Sequence, residues 1–464
     1  MKNGKKREDI SLAGAVFVVA GLFVILAAGS LVLGLDVIVL LAAGGIFTTT
    51  VFTIVYGYGL RDLFGRGVAP MISRAWGAMA ILMSVGPLIA SWTLAGTIPY
   101  LVFLGLSVIT PEIFLVSAFV VCSVASLVTG TSWGTAATFG VALMGVAEGL
   151  GVPLSAAAGA VVGGAYFGDK LSPVSDTTVL AAAVAEVDVM DHVRSMLWTT
   201  LPPFIASLLV YAAAGGGSGE IDSGRIRDIL SGITGSFSLH PVLLLPPAAL
   251  LVLSWRGYPT LAALWTAVGI AVPMAFFQGY GPMEIFRAAI AGPEVSTGIP
   301  AADGLLNRGG LLLLAGVAAV MCVAYVFAGQ LEVTGCFRRI SSFLKSSFIG
   351  ESRGRFVSSV SATGILVALG TGNSYLSEII PGAMYKNLAD EMDISRLVLS
   401  RTLEDSGTVV VPLVPWSAAA IYLSAVLGVP PFEYIPWAPL CYLGFITAWI
   451  LAFAGIAVWP SGKK

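Results

Sequence analysis

Charge is what this sequence most lacks. Only 11% of its 464 residues are Asp, Glu, Lys or Arg, against about 25% in a soluble globular domain, while 57% are hydrophobic. A mean hydropathy of +0.92 over the whole length leaves no large soluble domain to dilute the apolar signal. Histidine occurs twice, and the four cysteines, Cys122, Cys322, Cys336 and Cys441, are scattered. No pair sits at metal-ligand spacing, so zinc is disfavoured and the thiols read as small buried hydrophobes. A net charge of −2 gives no basic excess for nucleic acid. The shortage of histidine also argues against hydrolysis. The string GTSWG at Gly130–Gly134 fits G-x-S-x-G, but His192 and His240 both fall near span ends. YFGD at Tyr166–Asp169 lacks the first glycine of an intramembrane aspartyl protease GxGD site and has no matching Tyr-Asp partner. The chain is not expected to be an enzyme.

What the sequence has in abundance is apolar runs of membrane length, for which about 20 residues suffice. Candidate spans fall near 11–33, 35–57, 72–95, 111–129, 134–150, 154–168, 194–214, 240–256, 259–277, 309–331, 354–369, 410–428 and 435–458. Shorter or interrupted stretches near 97–109, 172–186, 281–300, 333–348 and 372–388 read as half-helices, re-entrant hairpins or amphipathic connectors. The expectation is an all-α polytopic membrane protein of about 11–13 spans. The first apolar run is too long for a cleaved signal peptide and reads as an uncleaved span. Its basic flank, Lys2, Lys5, Lys6 and Arg7, predicts a cytoplasmic N-terminus in a multi-pass protein of the cell inner membrane.

The polar, Gly-rich stretch 215–236 divides the chain almost in half, giving a first membrane repeat over 1–214 and a second over 237–464. The halves show weak similarity. LVTGTSWGT and then SPVSDTT stand in the first; LVALGTGNS and then LEDSGT stand in the second. Aligned by eye, Gly130 pairs with Gly370 (370 − 130 = 240) and Asp176 with Asp405 (405 − 176 = 229). Paired, Gly-interrupted apolar segments point to a solute site built from broken helices.

Charges inside apolar spans are the informative residues, because each costs about 2.5–3.5 kcal/mol at the bilayer centre even on a lenient scale. GGAYFGDKLSPVSDTT holds Asp169, Lys170 and Asp176; SRTLEDSGTVVVPLVPW holds Arg401, Glu404 and Asp405; Glu378 lies between them in YLSEIIPG. Pro173 must break or kink its helix, freeing carbonyls. Ser172 lies four residues before Asp176, and Thr177 and Thr178 follow it, a set of oxygens suited to a hard cation such as sodium. Asp176, Thr177 and Asp405 are the expected metal ligands. Glu404 and Thr408 are four apart and share a face if helical. Two adjacent carboxylates in a low-dielectric site cannot both ionise cheaply, so one can hold a proton near neutral pH. Alternatives are a solvated Asp169–Lys170 loop and a structural Arg401–Glu404 ion pair.

At these residues the sequence resembles the NhaC family of sodium/proton antiporters, within the wider ion-transporter superfamily. The strings that carry the resemblance are GTSWGTAATFG, GGAYFGDKLSPVSDTT, GTGNSYLSEIIPGAMYKNLADE and LSRTLEDSGTVVVPLVPWSAAAIYLSAVLGV. The resemblance implies a secondary antiporter with two inverted repeats and broken helices or re-entrant hairpins near mid-membrane. It implies ion or proton roles for Asp169, Asp176, Glu404 and Asp405, with Thr131, Ser132, Ser175, Thr177, Asn373, Ser374, Ser406 and Thr408 as neighbours. Val179 stands directly after SDTT, where the family often has a polar residue. The implied partners are sodium ions and protons, with sodium as transported substrate and no resident cofactor; the lipid bilayer and a second copy in a homodimer complete the expectation. Because the family also holds malate/lactate exchangers, exchange of a small organic anion or an amino acid is the alternative, with Lys170 and Arg401 available to an anion.

Overall fold

Apolar residues on every side of a helix mean that it is buried in protein or faces lipid. The computed structural model describes residues 10–31, 35, 37–74, 76–215, 223–307, 309–348 and 352–461, which are helical throughout most of their length with no strand among them. Six helices are long and apolar enough to cross a membrane: Ile38–Val55, Pro111–Thr129, Val189–Gly215, Thr260–Phe277, Leu311–Val333 and Arg353–Thr371. Four further pairs are bent by 49–98° at short breaks, which gives up to ten crossings among the described residues if each pair is one span, and Leu12–Leu26 and Asp176–Ala185 are shorter apolar helices. Outward-facing Phe277, Trp76 and Leu209 are among the most exposed side chains, as a lipid-facing surface requires. The protein is therefore a multi-pass, all-α membrane protein.

The cysteines are free, with Cys122, Cys336 and Cys441 buried. The basic residues Lys2, Lys5, Lys6 and Arg7 lie outside the described residues, as do 216–222 of the polar stretch; Ser223–Ser236 of that stretch is a helix.

Two segments share one architecture. Helix Pro111–Thr129 ends at Gly130 (φ 65°), Thr131 caps the next helix, and the chain returns through Ser132–Thr135 and Val141–Leu150. Leu154–Leu171 follows, stops at Ser172-Pro173, and restarts as Asp176–Ala185. In the second segment Arg353–Thr371 ends at Gly372 (φ 60°), Asn373 caps Ser374–Glu391, Arg396–Ser406 follows, and Ala418–Leu427 restarts after Pro415. We call these parts the hairpin, the broken helix and the arm of each repeat.

The spacing is constant. Gly130 and Gly372 are 242 residues apart (372 − 130), and so are Pro111 and Arg353, Leu154 and Arg396, Asp176 and Ala418 (418 − 176), and Ala185 and Leu427. The break is the same turn in both: Ser175 N donates to Ser172 O at 3.1 Å, and Ser417 N to Val414 O at 2.8 Å. The strings behind it are LSPVS and LVPWS. The pairing of Gly130 with Gly370 and of Asp176 with Asp405, at offsets of 240 and 229, is therefore out of register. Thr-Gly-Thr-Ser matches Thr-Gly-Asn-Ser, and Asp176 matches Ala418 rather than Asp405.

Only glycine fits the two hairpin tips. Both have positive φ, and a Cβ on Gly130 would lie 3.0 Å from Ser175 N, while one on Gly372 would lie 2.8 Å from the Ser417 Cα. Each tip thus rests on the serine at the start of its own repeat's arm. Beyond that contact the repeats exchange partners. Trp133, next to the first tip, stacks on Tyr422 of the second arm (centroids 4.4 Å, 14°). Its counterpart Tyr375, 242 residues on, donates its hydroxyl to Asp176 of the first arm.

At the polar end, Glu186 of the first repeat receives Lys386 at 2.6 Å and Arg396 at 2.5 Å, and Arg396 also binds Asp390 at 2.8 Å. Lys386 and then Arg396 hold the Glu186 carboxyl below its usual range, and Arg396 does the same for Asp390. A carboxylate lowered in the folded state stabilises the fold above its unfolded range and loses that contribution as pH falls through the folded value. Glu186→Gln should therefore lower the melting temperature slightly at neutral pH and low salt, with the difference from the natural protein vanishing in acid. A separate test concerns the tips. Gly130→Ala and Gly372→Ala should each lower the melting temperature in detergent more than Gly151→Ala does, because Gly151 also has positive φ but nothing within 4 Å of its Cβ position.

Candidate cation and proton site

The ends of the two broken helices meet through Lys170 and Asp405, and the first hairpin tip reaches the same place through Ser132. Lys170 of the first broken helix donates its ammonium to Asp405 of the second; their side chains are 2% and 0% exposed. Asp169, one residue earlier, accepts the Ser132 hydroxyl of the first hairpin tip at 2.6 Å, and its other oxygen has no hydrogen-bond partner. Thr178 of the first arm turns back on the broken end, donating to the carbonyls of Lys170 at 3.0 Å and Asp169 at 3.3 Å. The freed carbonyls expected of Pro173 are present and satisfied by a hydroxyl. Asp169 and Lys170 are thus buried among helices rather than solvated in a loop.

In the second repeat the helix ends at Ser406 because Gly407 leaves helical geometry (φ −90°, ψ −78°). Thr408 therefore does not share a helical face with Glu404. Its hydroxyl donates to Glu378 on the returning leg of the second hairpin. Glu378, Glu404 and Asp405 are wholly buried. Both Glu404 oxygens, the second Glu378 oxygen and the second Asp405 oxygen lack hydrogen-bond partners.

Arg401 is not paired with Glu404, contrary to the ion-pair alternative. Its guanidinium donates to Ala457 O at 2.7 Å and lies 5.1 Å from the ring of Trp459. The chain end that receives it is fixed by Ser395 N donating to Trp459 O at 2.9 Å and Arg353 donating to Val458 O at 3.3 Å.

The remaining expected residues divide. Ser172 is buried with an unpartnered hydroxyl, and Ser175 shares a hydrogen bond with Thr177 at 3.1 Å. Thr131 and Asn373 cap their helices by accepting from Gly134 N at 3.2 Å and Leu376 N at 3.1 Å, which makes them builders of the tips. Ser374 is half-buried. Ser406 donates back to Thr402 O at 2.6 Å, the ordinary use of a serine near a helix end. The expected metal set of Asp176, Thr177 and Asp405 is split between two settings. Asp176 is exposed at the start of the arm, held by Tyr375 and by Thr177 N at 2.9 Å, whereas Asp405 is deeply buried against Lys170. No group of three or more His, Cys, Asp or Glu among the described residues is arranged to hold a metal ion.

Sequence reasoning noted Glu378 but gave it no role; its signal was an acid inside YLSEIIPG, a span-like stretch. The histidines serve structure. His192 Nδ1 bonds the Ser400 hydroxyl at 2.8 Å, and His240 accepts from Val242 N, so Ser132 faces a carboxylate and not an imidazole.

Removing one member of a buried ion pair leaves the other charge uncompensated, at a cost of about 3–5 kcal/mol. Lys170→Met should destabilise the protein by that order in denaturant unfolding from detergent, and adding Asp405→Leu should recover much of the loss. A double variant no better than Lys170→Met would show that the pair does not act as a unit.

Comparison with known proteins adds lineage to this geometry. A profile described as "Na+/H+ antiporter family" matches residues 164–456, which include the end of the first broken helix, the second broken helix, both arms and the second hairpin. The chain is 35% identical to the arginine/ornithine antiporter ArcD of Halobacterium salinarum, over 98% of this chain and 93% of that protein. It is 36% identical to the Na(+)/H(+) antiporter NhaC of Alkalihalophilus pseudofirmus, over 82% of each. It is 34% identical to the malate-2H(+)/Na(+)-lactate antiporter of Bacillus subtilis, over 87% of this chain and 86% of that protein. With a profile match through most of its length and relatives of 34–36% identity matched over 82–93% of their own length, the chain belongs to the Na+/H+ antiporter family.

Proposed function

We propose that this protein exchanges sodium for protons across the cell's inner membrane by alternating access, with its N-terminus in the cytoplasm. The observation that carries the reading is the charge balance where the broken helices meet. Asp169, Glu378, Glu404 and Asp405 are at most 5% exposed, and the ammonium of Lys170 is the one cation bonded to any of them among the described residues. Buried carboxylates need a cation or a proton, and an antiporter supplies them in turn. Asp169 with Ser132 and the hydroxyls at the first break, and Asp405 when Lys170 lets it go, are the cation ligands in this reading. Exposed Asp176, steadied by Tyr375, stands where an arriving ion first meets the site. Lys170 is the internal cation that a sodium ion replaces at Asp405.

A second reading draws on the arginine/ornithine antiporter relative, which matches 98% of this chain. An acid-rich site also suits a guanidinium or ammonium group, so exchange of a cationic amino acid has a physical basis. A small organic anion fits less well, because the buried acids would repel it. Vesicle assays separate the three. Sodium gradients should move protons, with lithium and potassium as comparisons, while labelled arginine, ornithine, malate and lactate should show no counterflow. Asp176→Asn and Asp405→Asn should each abolish sodium-driven proton movement without loss of membrane insertion. Undiminished exchange in vesicles carrying both changes would end the reading.

A further inference from the structure

We propose that a groove between the spans Ile38–Val55 and Leu311–Val333 binds an anionic phospholipid, with one acyl chain lying in the groove and the phosphate meeting Arg61. The proposal concerns the protein's contact with its membrane and holds whatever the protein transports.

The groove itself is the first observation. It encloses about 500 Å³, and its wall includes Leu41, Ala42, Ile46, Leu60, Phe64 and Val323. Gly45 lets the two spans come together at its floor: a Cβ there would lie 3.1 Å from Val326 Cγ1. Two threonines also line it, but their hydroxyl protons are committed within the protein. Thr49 donates to Gly45 O at 2.7 Å and accepts from Gln330 at 2.7 Å, and Thr50 donates to Ile46 O at 2.8 Å. A wall with no free donor suits hydrocarbon better than a polar solute. Ile46 is 68% exposed, so the groove opens outward, to where lipid lies. From Leu41 to Thr50 it follows nine residues of helix (50 − 41 = 9), about 14 Å at the α-helical rise. That is near half of a hydrocarbon core about 30 Å thick, the reach of a chain from one leaflet.

Charge at the rim is the second observation. After the span the chain turns into the helix Arg61–Val68. Leu60 and Phe64, one turn apart, line the groove, while Arg61, beside Leu60, is exposed. Arg66 binds Asp62 at 3.1 Å, which leaves Arg61 with no ion-pair partner among the described residues. The two spans run in the same direction: Gln330 meets Thr49, and further along the Tyr58 hydroxyl donates to Thr334 O at 3.4 Å. The helix Cys336–Phe348 therefore starts on the membrane face where Arg61 stands. It buries Cys336 and Phe337 and exposes Arg338 and Arg339. An apolar inner side with a basic outer one is the pattern of a helix in an anionic headgroup layer. Along 55–68 and 332–343 four arginines stand against two acids, Asp62 and Glu332. A second copy of this chain, seated on the same groove about a two-fold axis, would bring like charges together. A lipid phosphate brings the opposite sign.

The test titrates purified full-length protein in detergent with phosphatidylglycerol, or with phosphatidylcholine of the same chains, and reads bound lipid by native mass spectrometry. Phosphatidylglycerol should bind more tightly. Arg61→Gln should weaken its binding by about fivefold, the worth of one arginine at an anionic surface, and leave phosphatidylcholine unchanged. Ala42→Trp, which fills the groove from an exposed position, should erase the difference between the two lipids. Ile46→Trp serves the same purpose if that variant is not recovered. Equal binding of both lipids by the natural protein would overturn the proposal, as would an Arg61→Gln variant with its preference intact. A groove-filled variant that keeps the preference while a dimer falls apart would make this surface a contact between copies, and overturn it too.

Discussion

An ammonium and a carboxylate sealed from water hold the centre of this protein. Lys170 and Asp405 lie on different broken helices, 235 residues apart, and desolvating each costs several kcal/mol before their attraction returns any of it. Such a pair is a weak source of stability, since well-packed apolar residues often do as well. It is a strong constraint on arrangement, because neither partner can be buried without the other. The place where each broken helix ends must be compatible with that contact. Any movement of one repeat against the other has to dissolve it or carry it along.

Around this contact the scaffold is duplicated and the chemistry is not. Helix starts, tip glycines, arm ends and the Leu-x-Pro-x-Ser break of Pro111–Ala185 recur 242 residues later in Arg353–Leu427, although the second broken helix stops at Ser406, short of Leu413, the counterpart of Leu171 (171 + 242 = 413). The ionisable side chains do not follow. At that offset Asp169 corresponds to Val411, Asp176 to Ala418, Asp405 to Gly163, Glu404 to Val162 and Glu378 to Ala136. Backbone devices such as a left-handed glycine or a proline break are demanded by the shape of each repeat, so both copies keep them. A buried acid is not demanded by that shape, and neither repeat repeats the other's.

This division explains what could be read from the sequence. Apolar runs, Pro173, the Gly-Thr tips and the scarcity of charge led to an all-α membrane protein with broken helices, and of the acids inside those runs Asp169, Glu378, Glu404 and Asp405 are buried. Aligning the halves through their acids led astray, because Asp176 and Asp405 are not counterparts. Partners of the buried charges were also hidden. Nothing local to GDKLS shows that Lys170 faces Asp405, and nothing in SRTLEDS shows that Arg401 turns away toward Ala457. Thr408 looked like a companion of Glu404 on one helical face until Gly407 ended the helix and swung it to Glu378. Exposure was misjudged for Asp176 for a related reason: as the first residue of a short arm, it sits at the rim of the packed region.

The exchanged contacts of Trp133 and Tyr375 carry a mechanical meaning. Each hairpin leans on its own repeat at the tip but grips the opposite repeat's arm with the neighbouring aromatic ring, Trp133 on Tyr422 and Tyr375 on Asp176. The two halves are interlaced like clasped hands. A hairpin withdrawn from its own repeat must therefore break, or drag with it, a contact on the far arm.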